Sequence, residues 1–260
     1  MADIKHPLLM QGLDLATVLA SSIGTNQHFD LEQQRGDLIG VDFVPFDHQF
    51  VGSDLTGKQI DVTVGGQQII RNGAFIEYYG NSGTSLERKE LPVPIKQHGG
   101  QTLTARITNN NAGQPAQGQL AVFYENPYDT GDLNFDVNYT DSLTLKKETF
   151  IFNMAAGAST VGNGGQFTVA RGYGNVVGIQ VQPTSTLVPI VDTRLCKFDL
   201  KLNGVEYMKN VVLFWFQNQV IRRFGIFPVD MYPSSTNQLI IDNSANGDAV
   251  EIAVTLFFKG

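Results

Sequence analysis

The sequence predicts an all-β protein that contains two copies of one domain, and three observations support this prediction. Residues 59–79 match residues 197–217 with a constant shift of 138 positions and no gap. Near the end of each half, residues 107–125 match residues 241–259 at a shift of 134. Within both blocks apolar residues alternate with polar ones, as in Ile60, Val62 and Val64, which is typical of strands with one buried face. Internal self-similarity of this kind decides the fold class before any single element does.

The identities between the two halves fall on residues that form turns. In the first block Asp61 matches Asp199, Gly66 matches Gly204 and Asn72 matches Asn210. The same shift holds upstream, where the matched pairs are Gly36 with Gly174, Gly40 with Gly178, and Pro45 with Pro183. Chance alone gives a few identities, but it does not place them on Gly, Pro, Asn and Asp while the apolar alternation stays in phase. The difference between the two shifts is absorbed between residues 80 and 101, where we expect a loop.

Composition limits the possible classes of protein. A chain of 260 residues fits two domains of ordinary size, and its low charged fraction of 17% with 27 glycines indicates a globular protein rich in turns. A net charge of −7 argues against direct binding to a nucleic-acid backbone. One cysteine, Cys196, excludes an intrachain disulfide and a cysteine-based zinc site. We find no signal-peptide pattern and no apolar run long enough for a transmembrane helix.

Short strands separated by turn signals follow one another from residue 26 onward. In the first copy we predict strands at residues 27–31, 37–44, 58–64, 67–71, 74–79, 91–96, 101–108 and 118–125. Gly65-Gly66 and Asn203-Gly204 are pairs that favour tight hairpin turns. Eight short strands in each copy are the layout of a jelly roll. The predicted domains are an N-terminal arm (1–25), a first jelly roll (26–125), a linker (126–149) and a second jelly roll (150–260).

The arm at residues 1–25 is the one candidate for helix. Leu9, Leu13, Val18 and Leu19 share one helical face, and Gly24 suits a helix end. We expect a partly helical arm that docks on its own domain or on a neighbour, with Leu9, Leu13 and Leu19 as its contacts. The alternative is an amphipathic segment on a membrane surface, but the polar face lacks the lysines that such segments carry.

Two segments of the second copy predict a protein interface. Residues 211–216 are apolar on both faces of a strand, so something must cover both faces. Residues 224–227 form an apolar loop after two arginines, and exposed apolar patches mark interaction sites. The candidate interface residues are Val211, Leu213, Phe214, Trp215, Phe216, Phe224 and Phe227.

A search for catalytic patterns yields no enzyme. The histidines (His6, His28, His48 and His98) are scattered, without the pair that a facial-triad metal site needs. Nucleophile-elbow, phosphate-loop and HExxH motifs are absent. Asp129, Asp132 and Asp136 offer oxygen ligands for calcium, but they lack the spacing and glycine of an EF-hand loop. A solvated linker is the favoured interpretation, with calcium as the one possible cofactor.

Two tandem β-rich copies with short strands, an arm, a linker and no catalytic set resemble the double jelly-roll major capsid proteins of tailless icosahedral viruses, in particular the PM2-like, membrane-containing lineage. The resemblance implies a homotrimer of pseudo-hexagonal outline that contacts neighbouring capsomers and other virion proteins. It also implies an arm directed inward or to neighbours, with an internal membrane as a candidate partner of the arm, and a virion protein made in the host cytoplasm.

Two alternatives to a capsid protein remain open on sequence grounds. The first is a carbohydrate-binding or receptor-binding tandem β-sandwich, which would recruit Tyr78, Tyr79, Tyr128 and Tyr173. The second is an enzyme with two cupin halves.

Overall fold

The structure is a computed structural model in which two compact units are distinguished, Met10–Glu125 and Asn126–Gly260. The residues that it describes are 10–31, 37–46, 55–77, 89–95, 102–125, 146–159, 165–169, 175–183, 194–213 and 237–259. Almost all of them lie in β-strands or in the turns between strands, and no α-helix occurs among them.

Unit 1 consists of two antiparallel sheets. Its strands are β1 (Met10–Val18), β2 (Ser22–Ile23), β3 (Gln27–Asp30), β4 (Leu38–Pro45), β5 (Lys58–Val64), β6 (Gln67–Ala74), β7 (Lys89–Ile95), β8 (Thr102–Asn109) and β9 (Ala116–Tyr124). One sheet has the order β1-β9-β4-β7, and the other has the order β2-β8-β5-β6 with β3 also paired to β8. A 3₁₀ turn at Phe75–Glu77 follows β6.

Unit 2 repeats this arrangement. Its described strands are β10 (Lys146–Met154), β11 (Gln166–Phe167), β12 (Asn175–Pro183), β13 (Lys197–Leu202), β14 (Val205–Val212), β15 (Asn237–Asp242) and β16 (Val250–Lys259). One sheet has the order β10-β16-β12, and β11, β15, β13 and β14 follow one another in the other. In unit 1 the last strand, β9, therefore lies between β1 and β4. In unit 2 the last strand, β16, lies between β10 and β12.

This strand order defines the fold class. With β2 and β3 counted as one interrupted strand, unit 1 has eight strands in two sheets, ordered 1-8-3-6 and 2-7-4-5 along the chain. This is the order of a jelly roll, in which two Greek keys close one sandwich. The described strands of unit 2 follow the same order. The predicted double jelly roll is thus confirmed.

The two units also share their strand register, including its irregularities. Val41 lies opposite Val122 in unit 1, and the matched Ile179 lies opposite Leu256 in unit 2. The pairing of β4 with β9 shifts between Leu38 and Gly40, and that of β12 with β16 shifts at the matched residues Val176 and Gly178. Such bulges bend a strand and are preserved features of a fold. The duplication therefore extends to backbone geometry.

A tight hairpin with a clamped bulge occurs once in each unit. Gly65 and Gly66 have φ of 55° and 81°, and Asn203 and Gly204 have φ of 50° and 78°, as a two-residue hairpin turn with positive φ at both positions requires. Further along each hairpin the pairing shifts beside Asp61 and beside Asp199.

Each of these aspartates holds the bulge of the opposite strand in place. The Asn72 backbone N–H donates to Asp61 Oδ1 at 2.8 Å, and the Asn210 backbone N–H donates to Asp199 Oδ1 at 2.6 Å. Both asparagines have positive φ, 49° and 51°, which asparagine tolerates better than most residues. The repeated Asp and Asn therefore fix a bulge within the hairpin and do not lie in the turn itself.

A buried asparagine ties the two sheets of each unit together at one end. Asn109, at the end of β8, donates from Nδ2 to the carbonyls of Val18 (3.2 Å), Leu19 (3.1 Å) and Gln114 (2.9 Å). Asn243, its match in unit 2, donates to the carbonyls of Ala155 (3.0 Å) and Asp248 (2.9 Å). Both side chains are fully buried. We call these contacts the asparagine clamps, since each joins the end of the first strand to the loop before the last strand.

Large aromatic side chains pack in the core of unit 1, and a glycine leaves the space that one of them occupies. The Phe43 and Phe75 rings lie 4.8 Å apart, and both are fully buried. A Cβ atom on Gly118 would come within 2.5 Å of the Phe43 ring and of the Val44 carbonyl. Glycine is therefore required at this position of β9 because the adjacent strand fills the space with an aromatic ring.

The prediction of a helical arm at residues 1–25 was wrong for its described part. Met10–Val18 forms β1, which pairs with β9 from Met10 opposite Phe123 onward, so the first jelly roll begins at Met10 and not at residue 26. The helical spacing of Leu13 and Val18 suited a strand equally well, because Leu13 and Leu15 alternate with polar Asp14. Residues 1–9 of the arm lie outside the described residues.

Two other predicted boundaries also need correction. The second jelly roll begins at Lys146, inside the predicted linker, since β10 pairs with β16 from Lys146 onward. The separate strands predicted at 67–71 and 74–79 are one strand, β6, followed by the 3₁₀ turn. The clamped bulge at Asn72 interrupted the apolar alternation and made one strand look like two. No helix in the described part of the chain is long and apolar enough to cross a membrane.

Replacing Asn109 with alanine should destabilise the protein by about 2 to 4 kcal/mol, because it leaves the buried Val18 carbonyl and two part-buried carbonyls without this donor. Urea unfolding followed by circular dichroism measures this loss. Asn110→Ala, at the exposed neighbouring asparagine, is the matched control and should change the free energy of unfolding by less than about 0.5 kcal/mol. Equal effects of the two substitutions would contradict the clamp.

The bulge clamp makes a different prediction for Asn72. Asn72→Gly should be nearly neutral, because glycine adopts positive φ and keeps the N–H that Asp61 accepts. Asn72→Val should cost about 1 to 3 kcal/mol, because a β-branched residue is strained at positive φ. Thermal unfolding of both variants tests this order, and a valine variant as stable as the glycine variant would refute it.

Candidate functional site

Two of the predicted interface residues of the second copy are buried, and the others lie outside the described residues. Val211 and Leu213 are buried within the single chain, so neither side chain is available to a second subunit. The Leu213 backbone N–H donates to the Cys196 carbonyl at 2.8 Å, which extends the β13–β14 hairpin. The other candidates, Phe214, Trp215, Phe216, Phe224 and Phe227, lie outside the described residues.

The predicted arm contacts also differ from one another. Leu13 is buried on β1, opposite Leu120 of β9, and belongs to the core and not to a free arm. Leu19, by contrast, is 71% exposed just after β1 ends. Ile23 is 69% exposed in the short strand that follows. Leu19 and Ile23 thus offer apolar surface in the described part of the arm, whereas Leu9 lies outside it.

Sequence analysis missed a further apolar surface on β10. Among the described strands β10 pairs with β16 alone, so it stands at the edge of its sheet. Ile151 at its centre is 62% exposed, and its neighbours Phe150 and Phe152 are half-buried against Phe167. Unpaired edges with apolar side chains promote association with another chain. The run Phe-Ile-Phe was the available signal, but the predicted linker boundary at residue 149 separated it from the lysines that begin the strand.

The matching strand of unit 1 shows that the exposed isoleucine is not required by the fold. Asp14 lies opposite Gln119 in β1, and Ile151 lies opposite the matched Ala253 in β10. Asp14 accepts a hydrogen bond from Gln119 Nε2 at 3.0 Å. A half-buried carboxylate thus occupies this position in unit 1, and an exposed aliphatic side chain occupies it in unit 2. The two copies carry the same strand with different surfaces.

The described residues contain no constellation that holds a metal ion. No group of three or more His, Cys, Asp or Glu side chains converges in that part of the chain. His28 Nδ1 lies 3.0 Å from Thr104 Oγ1, an ordinary cross-strand contact. The calcium candidates Asp129, Asp132 and Asp136 lie outside the described residues.

Cys196 is the one thiol of the chain, and it is fully buried. Burial raises the pKa of the Cys196 thiol to about 12, and the Asp242 carboxylate adds to this shift. The pKa of Asp242 is itself lowered, chiefly by its hydrogen bond with Ser244. A thiol with a raised pKa is a poor nucleophile at neutral pH. Cys196 is therefore a structural residue.

No family model and no curated protein matches this chain. Among solved structures, the chain is similar to the major capsid protein P2 from bacteriophage PM2, at 9% identity over 96% of this chain and 97% of that one, with a TM-score of 0.26. It is similar to the STIV MCP at 12% identity, over 95% of each chain, with a TM-score of 0.24. A chain of an archaeal virus with a triple jelly-roll fold matches at 12% identity over 95% of this chain and 58% of that one, with a TM-score of 0.21.

The class that the strand order defines is the double jelly roll, and that assignment depends on the pairing within each unit and not on these alignments. The two units of the chain match one another in register, bulge and clamp.

The raised pKa of Cys196 predicts a pH-dependent loss of stability. Below a pH of about 8.5 the thiol is protonated in both folded and unfolded chains, so its contribution to the free energy of unfolding is fully present. As the pH rises toward 12, the unfolded chain loses the proton while the folded chain keeps it, which favours unfolding. Between pH 8 and pH 10 the wild-type protein should lose about 2 kcal/mol more stability than Cys196→Ala.

Urea unfolding of both proteins at each pH measures this difference, and the comparison cancels the titration of tyrosine and lysine. If the two proteins lose the same stability between pH 8 and pH 10, the thiol is not protected as described. Wild-type Cys196 should also resist thiol reagents until the chain unfolds.

Proposed function

We propose that this chain is a structural, non-enzymatic capsid protein that forms homotrimers of pseudo-hexagonal outline, and that these trimers tile an icosahedral virion shell. The observation that carries the proposal is that the described strands of both units share the jelly-roll order, with matched register, bulges and clamps. Three chains with two similar copies each offer six similar lateral faces. A threefold oligomer can then fill a hexagonal lattice, because each copy meets its neighbours in a similar way.

The two units share their backbone geometry but differ in their surface side chains, and this combination supports a role in assembly. The clamps and bulges recur in both units, although half-buried Asp14 in one unit is matched by exposed Ile151 in the other. A trimer requires this combination, because one kind of face must bind inside the trimer and another between trimers.

The β10 edge is our proposed contact between subunits. β10 is a nine-residue strand that pairs with β16 alone among the described strands, and it exposes the Ile151 side chain. Lys146 and Lys147 are exposed at its start and restrict pairing to a partner of suitable charge. The acidic chain as a whole, with a net charge of −7, meets that condition. The exposed Leu19 of unit 1 is a second apolar position that we propose for assembly.

The composition supports a shell layer that does not bind the genome directly. With a pI near 5.0 the protein has no excess of basic residues for a phosphate backbone. Its partners would be its own copies, neighbouring capsomers and other virion proteins, after synthesis in the host cytoplasm. Contact of the arm with an internal membrane would involve residues 1–9.

Light scattering of the purified protein tests the oligomeric state. We expect the mass of three chains of 28.5 kDa, unchanged by dilution at low and at physiological salt. The same measurement with and without calcium tests the ion candidates Asp129, Asp132 and Asp136. A stable monomer at all concentrations would overturn the trimer and would favour a binding module instead.

Ile151→Glu should weaken or abolish the trimer, because it places a charge in an apolar contact, where an unpaired charge is costly. The matched control is Ile76→Glu, the same substitution at an isoleucine that is 52% exposed on the 3₁₀ turn of unit 1. Both proteins should fold, as circular dichroism verifies. A trimer that survives Ile151→Glu and is lost with Ile76→Glu would move the contact away from β10.

A further inference from the structure

A polar cleft lies on the outer face of one sheet of unit 1. It crosses β5, β6 and β8, has a volume of about 390 Å³, and is lined by charged, amide and hydroxyl side chains. Pockets of this size hold small organic ligands. We propose that this cleft binds an acidic saccharide, with the carboxylate of the sugar held by Arg106.

Arg106 is held in position by a residue that the fold already requires. Asp61 Oδ2 accepts from Arg106 Nη2 at 2.9 Å, while Asp61 Oδ1 accepts the Asn72 N–H of the bulge clamp. The Asp61 side chain is 17% exposed and that of Arg106 is 44% exposed. The aspartate therefore fixes the guanidinium from below and leaves further N–H donors facing the cleft. A guanidinium fixed in this way is suited to bind a carboxylate through paired hydrogen bonds.

The charge of the cleft differs in sign from that of the whole chain. Arg71 and Arg106 line it together with one carboxylate, Asp61, which leaves a formal charge of +1 in a chain of net charge −7. Arg71 is exposed and has no ion-pair partner among the described residues. The cleft thus favours an anionic ligand, although the net charge of the whole chain is negative.

The other lining groups indicate a ligand with many hydroxyl groups. Asn26, Thr63, Gln68 and Thr104 surround the arginines with donors and acceptors of hydrogen bonds. The cleft is also larger than a simple inorganic anion needs. None of its lining residues is aromatic, so a neutral sugar that stacks on a ring is not favoured. A ligand that carries several hydroxyl groups and one carboxylate is a uronic acid or a related acidic sugar.

The second copy shows that these features are not needed by the fold. Ile240 stands opposite Asp199 where Arg106 stands opposite Asp61, and the clamp between Asp199 and Asn210 is kept. The residues that match Thr63 and Gln68 are Lys201 and Glu206, whose charged atoms lie 4.0 Å apart. Unit 2 thus keeps the bulge clamp without a guanidinium, so the clamp does not require Arg106.

Titration calorimetry with glucuronate, glucose, acetate and phosphate tests the proposal on the full chain in its native oligomeric state. Glucuronate should bind with a dissociation constant on the order of millimolar, as exposed polar sites do. Glucose and acetate should each bind at least about tenfold more weakly, because glucose lacks the carboxylate and acetate lacks the hydroxyl groups. Absence of glucuronate binding would overturn the proposal. Phosphate or acetate binding as strong as that of glucuronate would overturn the saccharide assignment.

Arg106→Ile introduces the residue that unit 2 carries, so the variant should fold and keep its unfolding midpoint. It should weaken glucuronate binding about tenfold or more. The control is Lys209→Gln, at the position in unit 2 that matches Arg71, which should leave binding unchanged. Glucuronate binding that survives Arg106→Ile would place the ligand elsewhere. Because the oligomeric state is measured separately, failure of the cleft and failure of the trimer are distinguishable.

Discussion

The asparagine clamps are the constraint on which each jelly roll depends. A sandwich of two sheets needs a fixed relation between them, and apolar packing alone leaves the ends of the strands without hydrogen-bond partners. Asn109 satisfies carbonyls at the end of β1 and in the loop before β9, although it stands on the opposite sheet. Asn243 does the same in unit 2. With one fully buried amide in each unit, the strand that enters the fold and the strand that completes it are tied to a common point.

Much of the fold was predictable because the chain encodes it twice. Turn pairs such as Asn203-Gly204, and the alternation of Ile60, Val62 and Val64, determine backbone conformation locally, and their repetition removed most of the ambiguity. What sequence analysis missed depends on contacts distant in sequence. Strand β1 was taken for a helix because its partner β9 lies about a hundred residues later, and a spacing that suits two structures is settled only by pairing.

The functional surfaces were harder to predict than the fold, for a physical reason. Assembly uses exposed side chains, and exposed positions carry little signal in a single sequence. Ile151 was separated from its strand by a misplaced boundary, and Val211 and Leu213 were assigned to an interface although the core buries them. Arg106 was not noted at all, since only its register opposite Asp61 gives it meaning. In this chain the difference between the two copies is a more useful guide to function than their similarity.

The position of the last strand in each sheet determines the order in which the molecule can be completed during synthesis. Strand β9 lies between β1 and β4, so neither of these has its main partner until Tyr124 has left the ribosome. Strand β16 separates β10 from β12 in the same way, up to Lys259. Pairing between residues so distant in sequence is slow. The first copy can thus close while the second is still being made, and the two similar halves have less opportunity to exchange strands.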